Sequence, residues 1–374
     1  MTEKLNDKLH IIIDNGTGFS KAGFSGEKLP KIIIPNYVGY PKYASGRVGV
    51  EKKKFFVGSE ADAIKGVLNI NNPLENGAIN NWDDIEKLWQ HLFTNELKVD
   101  PVEYNTMITE TPMNPKENKE KMTQIMFETF NVKGLYIAME PVLSLFGIGK
   151  YTGIVSDLGD HISYFSPIFF GCSLPHALIR LNYAGNDLTD YMKKLIEENG
   201  LRFSTTAEKE IIKTIKEKSC YVSLNFNEEI KSVKMLDYEL PDGYKINIKE
   251  QRIKCPEALF RPNLLGKEGN GISKACYDSI QKCNVDIRKD LFNCITLSGG
   301  TSMFNGLPER FIKEIKNLTH ESMKEEVKIN TSPERKYSAW IGGSVLSNSS
   351  SDSLWISKAE YEEYGELIVH RKCS

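Results

Sequence analysis

The chain has 374 residues, 40% of them hydrophobic and 26% charged, with a formal charge of −2. That length favours two or more domains over one core, and the near-neutral balance excludes the global basic field expected of a nucleic-acid binder. No apolar run approaches the ~20 residues of a membrane span, and the polar start Met1 to Asp7 does not resemble a signal peptide. Seven scattered cysteines without a Cys-x-x-Cys pair suit free thiols in a reducing compartment rather than a disulfide framework or zinc site. The expected location is the cytoplasm, with the nucleus open.

The first informative stretch is Leu9 to Phe24, LHIIIDNGTGFSKAGF. An apolar run ends at Asp14, a small-residue turn follows at Asn15, Gly16, Thr17 and Gly18, and Phe19 and Lys21 lie on the return. That pattern predicts a strand, a tight turn and a return strand carrying a cation. Glycines let backbone N–H groups approach a phosphate, the Thr17 hydroxyl can donate to it, and Lys21 can reach back as a point charge. An Asn-Gly pair between apolar runs is equally the mark of a plain hairpin, so this stretch alone does not decide.

Between Pro30 and Gly66 short β-like runs, Lys31 to Ile34 and Phe55 to Val57, alternate with Gly, Pro, Lys and Ser and read as a small mobile lobe; Glu51-Lys52-Lys53-Lys54 reads as a solvated loop. Helical spacing covers Trp82 to Leu97, and a strand is expected at Thr106 to Ile108. Asn114-Pro115-Lys116-Glu117 offers an N-cap, a proline at the first helical position and an acid, opening a helix to Phe130 that buries Met122, Ile125, Met126 and Phe130. A strand at Gly134 to Met139 then delivers Glu140-Pro141 at its end, with a helix beginning at Val142 to Phe146.

Thr152 to Ser163, TGIVSDLGDHIS, repeats the opening pattern: a β-rich run ends in Asp157, followed by Gly159, Asp160, His161 and Ser163. One acidic strand-and-turn unit thus occurs twice at domain-sized separation. Two such turns can grip one nucleoside triphosphate, with Asp14 and Asp157 holding the waters of a Mg²⁺ ion, which binds through few carboxylates. Helices are expected at Leu188 to Asn199 and Thr206 to Asn225, the second carrying Lys216 and Glu217, and a hairpin over Ile230 to Arg252 around Pro241-Asp242-Gly243. A third glycine turn follows an apolar run at Cys294 to Ser302, CITLSGGTS, where Gly299 and Gly300 let the backbone pack against a base or sugar. Trp340-Ile341-Gly342-Gly343 opens a helix, Ser347 to Ser353 is a polar break, and Lys358 to Tyr364 is a short amphipathic helix.

These turns resemble the phosphate-and-adenosine clasp of the actin, sugar kinase and heat-shock chaperone superfamily. Within it the chain resembles the actin family itself through DNGTGFSKAGF, NNWDDIEKLW, EKMTQIMFETFN, AGNDLTDY, IKEKSCYVSL, LSGGTSMF, SPERKYSAWIGGS and the terminal IVHRKC, in family order and at family length. The resemblance implies an α/β fold, the actin-like ATPase fold, with two duplicated large lobes around a nucleotide cleft, each with a smaller subdomain. The first lobe would comprise 1–140 and 339–374, with a small mobile subdomain at about 33–69. The second would comprise 141–338, with its subdomain at about 184–268. ATP or ADP and Mg²⁺ or Ca²⁺ would lie between them. By the same resemblance Gly16, Thr17, Gly18, Phe19 and Lys21 match one phosphate clamp, and Gly159, Asp160, His161 and Ser163 the other. Gly185, Lys216, Glu217, Gly299, Gly300, Thr301, Met303, Phe304 and Lys336 match the adenosine site. Asp14, Asp157 and Glu140 match the positions that organise the metal's waters and the catalytic step.

Departures from the family pattern bear on function. Conventional actin has Gln where this chain has Glu140 and His where it has Tyr164, two positions that place the attacking water. The phenol removes a neutral-pH proton acceptor, whereas Glu140-Pro141 resembles a pair in chaperone and bacterial relatives whose acid orients water or accepts its proton. Hydrolysis is therefore open, at most slow. His161 replaces a glycine whose N–H meets the terminal phosphate; it reads either as a tolerated turn residue or as a side chain that crowds or neutralises that phosphate. The loop Tyr43 to Val50 carries Gly46 and Arg47 where actin presents apolar groups to the next subunit. Lys267, in the plug region Arg261 to Lys267, stands at an apolar family position, where an unpaired buried ammonium would weaken homotypic packing unless a partner supplies an acid. Asn76 replaces the family's methylated histidine, Thr2 to Asp7 lacks an acidic cluster, and Ser349 and Asp352 soften the groove that receives partner helices.

Two functions compete. One is a divergent actin that assembles with itself or with actin into cytoskeletal filaments and binds a reduced set of actin-binding proteins, without contacting nucleic acid directly or a membrane. The other is a nucleotide-bound, non-filamentous subunit of a complex such as a motor adaptor, nucleator or chromatin remodeller. A sugar-kinase-like enzyme is disfavoured because the outer segments match actin.

Overall fold

A computed structural model describes residues 9–42, 53–75, 77–198, 200–349 and 351–373. The loop Tyr43 to Val50, Asn76, Asn199 and the segment Thr2 to Asp7 lie outside the described residues. The chain divides into two compact units, one running to Tyr151 and resuming at Tyr337, the other Thr152–Lys336.

The first unit is built on a six-stranded mixed sheet ordered Ile356–Ser357, Gly134–Met139, Asn105–Glu110, His10–Asn15, Phe19–Phe24, Ile32–Pro35. His10–Asn15 runs antiparallel to Phe19–Phe24 and parallel to Asn105–Glu110, which in turn runs parallel to Gly134–Met139. Ile11, Ile12 and Ile13 are all fully buried, because both faces of the sheet are covered. Alternation sends Ile11 and Ile13 into a core with Trp89, Phe93 and Met126, and Ile12 into a smaller one with Met107, Leu143 and Trp340. A strand buried on two sides reads as a continuous apolar run.

The second unit repeats this arrangement. Gly153–Leu158 pairs antiparallel with Ser163–Phe169 and parallel with Ile295–Ser298, which pairs parallel with Ile329–Asn330. In each unit, then, a glycine-bearing hairpin is followed by a strand added in parallel to its first arm. This duplicated α/β plan is the fold that the resemblance implies. Among the described residues one core packs it, running from Ile154 and Phe165 to Leu188, Ile215, Ile280 and Phe311.

Local expectations hold in part: the expected hairpin narrows to Leu236–Glu239 and Lys245–Ile248, with Gln251–Glu257 helical, and the helices expected from Val142 and Leu188 begin at Glu140 and Gly185. The helix from Trp82 is α-helical to His91 and wound as a π-helix over Leu92–Leu97, ending at Lys98 with φ 57°. At Lys116–Glu128 the capping residue is Pro115, without a side-chain cap; the Asn114 amide instead donates to Glu110 Oε2 at 3.2 Å. The helix Thr206–Ser219 stops short of Asn225, because Cys220 turns extended and Val222 N donates to Asn305 O at 2.8 Å. The polar break expected from Ser347 falls partly inside the helix, which runs Ser338–Ser349. Ser347 and Ser349 donate back to Gly343 O and Val345 O at 2.7 and 2.8 Å, so the backbone stays helical.

Helix Ser338–Ser349 lies against the short helix Glu140–Phe146 through Gly342, where an added Cβ would fall 1.8 Å from Leu143 O. Backbone cannot give way as a side chain can. Gly342→Ala is expected to destabilise the first unit by about 2–3 kcal/mol, read as a lower denaturation midpoint; an unchanged midpoint would mean the helices separate freely.

Candidate functional site

In the first unit the hairpin His10–Asn15/Phe19–Phe24 carries Asp14 opposite Lys21 in register. Lys21 Nζ lies 2.7 Å from Asp14 Oδ2. The other oxygen, Asp14 Oδ1, accepts from Thr109 Oγ1 at 2.9 Å, and Thr109 Oγ1 accepts from Asn15 N at 3.1 Å. Glu140, buried at the start of its helix, brings Oε1 to 3.5 Å from the same hydroxyl. A hydroxyl has one proton to give, and the nearer Asp14 takes it. Asp14, Lys21, Thr109 and Glu140 therefore form one connected polar group.

The turn at Gly16, Thr17 and Gly18 is tethered from outside. Asn36 Nδ2 donates to Gly16 O at 2.9 Å and Asn72 Nδ2 to Thr17 O at 3.2 Å, while Trp89 Nε1 donates to Asn15 Oδ1 at 3.2 Å. A Cβ on Gly16 would lie 2.9 Å from Phe19 O and 3.3 Å from Lys21 Nζ. Phe19 itself is exposed.

In the second unit Asp157 pairs across the hairpin with Tyr164 and lies beside Ser298 on the parallel strand. The third glycine turn packs directly on it. Gly299 has φ +83°, and a Cβ there would be 2.4 Å from Asp157 Oδ1 and 2.2 Å from Leu158 O. Thr301 Oγ1 donates to Gly159 O at 2.6 Å, and the same carbonyl accepts from Gly185 N at 3.3 Å. Lys216, buried on its helix, donates to Gly185 O at 2.7 Å and Thr189 Oγ1 at 2.9 Å, and burial lowers its pKa. The Ser163 hydroxyl donates to Tyr183 O at 3.0 Å, leaving it acceptor lone pairs only. Met303 and Phe304 follow Thr301 on the same turn, and Gly299 N donates to Arg335 O at 3.2 Å, which places Lys336 next to it. Gly300, Glu217 and Lys336 are exposed, and a Cβ on Gly300 would meet nothing within 4 Å.

This architecture can be set beside known families. A family model described as Actin matches residues 6–374. The chain belongs to the actin family.

Against the actin family pattern, three features were not legible in the motifs: Thr109, Asn36 and Asn72. Thr109 had a signal, being a hydroxyl in the apolar run Thr106-Met107-Ile108-Thr109 at the end of a strand that adjoins the first hairpin. Lys267 requires a correction. Its ammonium is paired within the chain, 2.6 Å from Asp187 Oδ1 and also donating to Asn182 O, so no partner subunit has to supply the acid. Among the described residues no group of three or more His, Cys, Asp or Glu is arranged to hold a metal ion directly, and none of their helices is long and apolar enough to cross a membrane. All seven cysteines are free, with Cys172 exposed.

His161 Nδ1 lies 3.0 Å from Asp160 Oδ2, at ion-pair distance but outside hydrogen-bond alignment. That carboxylate raises the imidazole pKa above its ordinary 6.5, with Asp187 helping and burial and Lys209 opposing. Burial works against ionised Asp160, but His161, Lys213 and Lys216 outweigh it and hold its pKa below 3.8. The stabilisation from His161 is thus complete below the unfolded histidine value and fades as pH rises through the folded one. That from Asp160 is present above the unfolded carboxylate value and is lost as pH falls through the folded one. His161→Gln is expected to lower stability at about pH 5.5 and to have little effect at about pH 8.5. Equal losses in denaturant melts at both would remove the ion pair from the account.

Proposed function

We propose that this member of the actin family binds ATP or ADP with a divalent cation, Mg²⁺ or Ca²⁺, and assembles into cytoskeletal filaments with slow or altered hydrolysis. The observation that carries this reading is the occurrence, once in each unit, of a glycine-turn hairpin whose first strand carries an aspartate one residue before its end, Asp14 and Asp157. The residues fit the nucleotide. Gly16, Gly159, Gly185 and Gly299 sit where a Cβ would strike neighbouring backbone or polar atoms, and Gly300 borders open space that can take a sugar or base.

In this reading Gly16, Thr17, Gly18 and Lys21 hold one side of the phosphates and Gly159, Asp160 and His161 the other, beside Ser163, whose hydroxyl proton is given to Tyr183 O. Gly185, Lys216, Glu217, Gly299, Gly300, Thr301, Met303, Phe304 and Lys336 receive the adenosine, and Phe19 flanks the first turn. Each oxygen of Asp14 is already engaged once and keeps a lone pair for a metal-bound water. Asp14, Asp157 and Glu140 therefore act on the cation through water, as Mg²⁺ prefers. When bound, the cation neutralises phosphate charge. Glu140 orients or deprotonates the attacking water, while Tyr164 places a buried phenol where the family pattern has histidine.

The partners are a second copy or actin, with actin-binding proteins in reduced number, in the cytoplasm. Internal pairing of Lys267 supports assembly, because the charge reaches the surface already compensated. Sedimentation and electron microscopy of the purified chain with Mg-ATP test it: helical polymers are expected, and a persistent monomer that co-purifies within a defined complex would instead support the non-filamentous reading.

A further inference from the structure

The segment Asn182–Asp187 makes contacts on two sides. Toward the second glycine turn, Tyr183 O accepts from Ser163, Gly185 N donates to Gly159 O at 3.3 Å, and Asn186 N donates to Asp160 O at 2.6 Å. Toward the loop between Pro262 and Asn270, the Tyr183 hydroxyl donates to Asn270 O at 2.8 Å, and Lys267 Nζ meets Asp187 Oδ1 at 2.6 Å and Asn182 O. Asp187 joins the two sides, because its other oxygen accepts from Ala184 N at 3.0 Å and closes the first turn of helix Gly185–Glu197. Lys267 is itself fixed. Gly266, with φ +69°, ends the preceding 3₁₀ turn, and Lys267 N donates to Pro262 O at 3.1 Å.

We propose that Lys267 is a positioning residue for the nucleotide: by clamping Asp187 it holds the Gly185 turn against Gly159, so that occupancy of that turn and the conformation of the 262–270 loop are coupled. The inference rests on adenine nucleotide binding at the second unit's turns, as proposed above. A charge-assisted contact held at both ends by backbone is the kind that transmits position rather than merely adding stability. Two contacts, at Lys267 and Asn270, tie the C-terminal half of the loop to the segment Asn182–Asp187. Coupling of this kind is reciprocal, so the loop state changes nucleotide affinity by the factor that the nucleotide changes the loop equilibrium.

The test compares the full-length protein with Lys267→Ala, Lys267→Arg and Asp187→Asn. Release of a fluorescent ATP analogue is followed by stopped flow, and amide hydrogen exchange is followed without nucleotide. Lys267→Ala is expected to speed release by ~10-fold, with Lys267→Arg restoring most of the difference and Asp187→Asn matching the alanine variant. Without nucleotide, the Gly185 and Asn186 amides of Lys267→Ala should exchange faster, a readout that needs no ligand. Unchanged release rates together with unchanged protection at those amides would overturn the inference. If the parent bound no analogue while the amides still lost protection, the nucleotide reading would fail and the mechanical link from Lys267 to Gly185 would stand.

Discussion

Alanine in place of Glu140 is expected to slow phosphate release from bound ATP by ~10²-fold or more while leaving nucleotide affinity within a few-fold. The argument starts from position. Glu140 is the first residue of a helix, is followed by Pro141, and is buried beside Thr109. Thr109 spends its proton on Asp14 at 2.9 Å rather than on Glu140 at 3.5 Å, so the hydroxyl does not neutralise the glutamate's capacity to accept a proton from water. Glu140→Gln separates orientation from proton transfer, since the amide can align water but accepts a proton poorly. Single-turnover phosphate release with saturating Mg-ATP reads both variants. Parent and alanine rates that coincide would take Glu140 out of the chemistry.

The second large effect is expected at Asp14. Its pairing with Lys21 is shielded, the two side chains being 4% and 17% exposed. Removing one member of such a pair leaves an uncompensated charge and typically costs about 3 kcal/mol or more. Asp14→Ala would also remove the nearer acceptor of Thr109 and the carboxylate proposed to hold the cation's waters, so nucleotide retention should be lost along with stability. Asp14→Ala/Lys21→Met removes both charges and is expected to recover most of the stability without recovering retention. Thermal melts and nucleotide content of the purified variants decide this; a double variant no more stable than Asp14→Ala would mean the ion pair is not the source of the loss.

The parts of the fold that were legible share one property, local repetition. The apolar run Ile11–Ile13 ending at Asp14 and the run ending at Asp157 each announce a strand and its turn, and both hairpins form. The glycine turns were legible because close approach tolerates no Cβ, as Gly299 against Leu158 O illustrates. What stayed hidden depends on pairs far apart in the chain. Lys267 looked like a surface liability until Asp187, on another element, supplied its counter-charge. Thr109 gains its meaning only when the parallel strand lies beside His10–Asn15. The overextended helix after Thr206 failed for the same reason, since Asn305 draws Val222 out of it.

The two carboxamides beneath the first turn have one more consequence. In a trans peptide the carbonyl and the following N–H point in opposite directions. Asn36 pins the oxygen of Gly16 and Asn72 that of Thr17, so the amide hydrogens of Thr17 and Gly18 are turned away from those side chains before any anion arrives. Rotating either peptide plane to greet water would break a tether, and the donor array is thereby set in advance by residues that never need to touch the ligand.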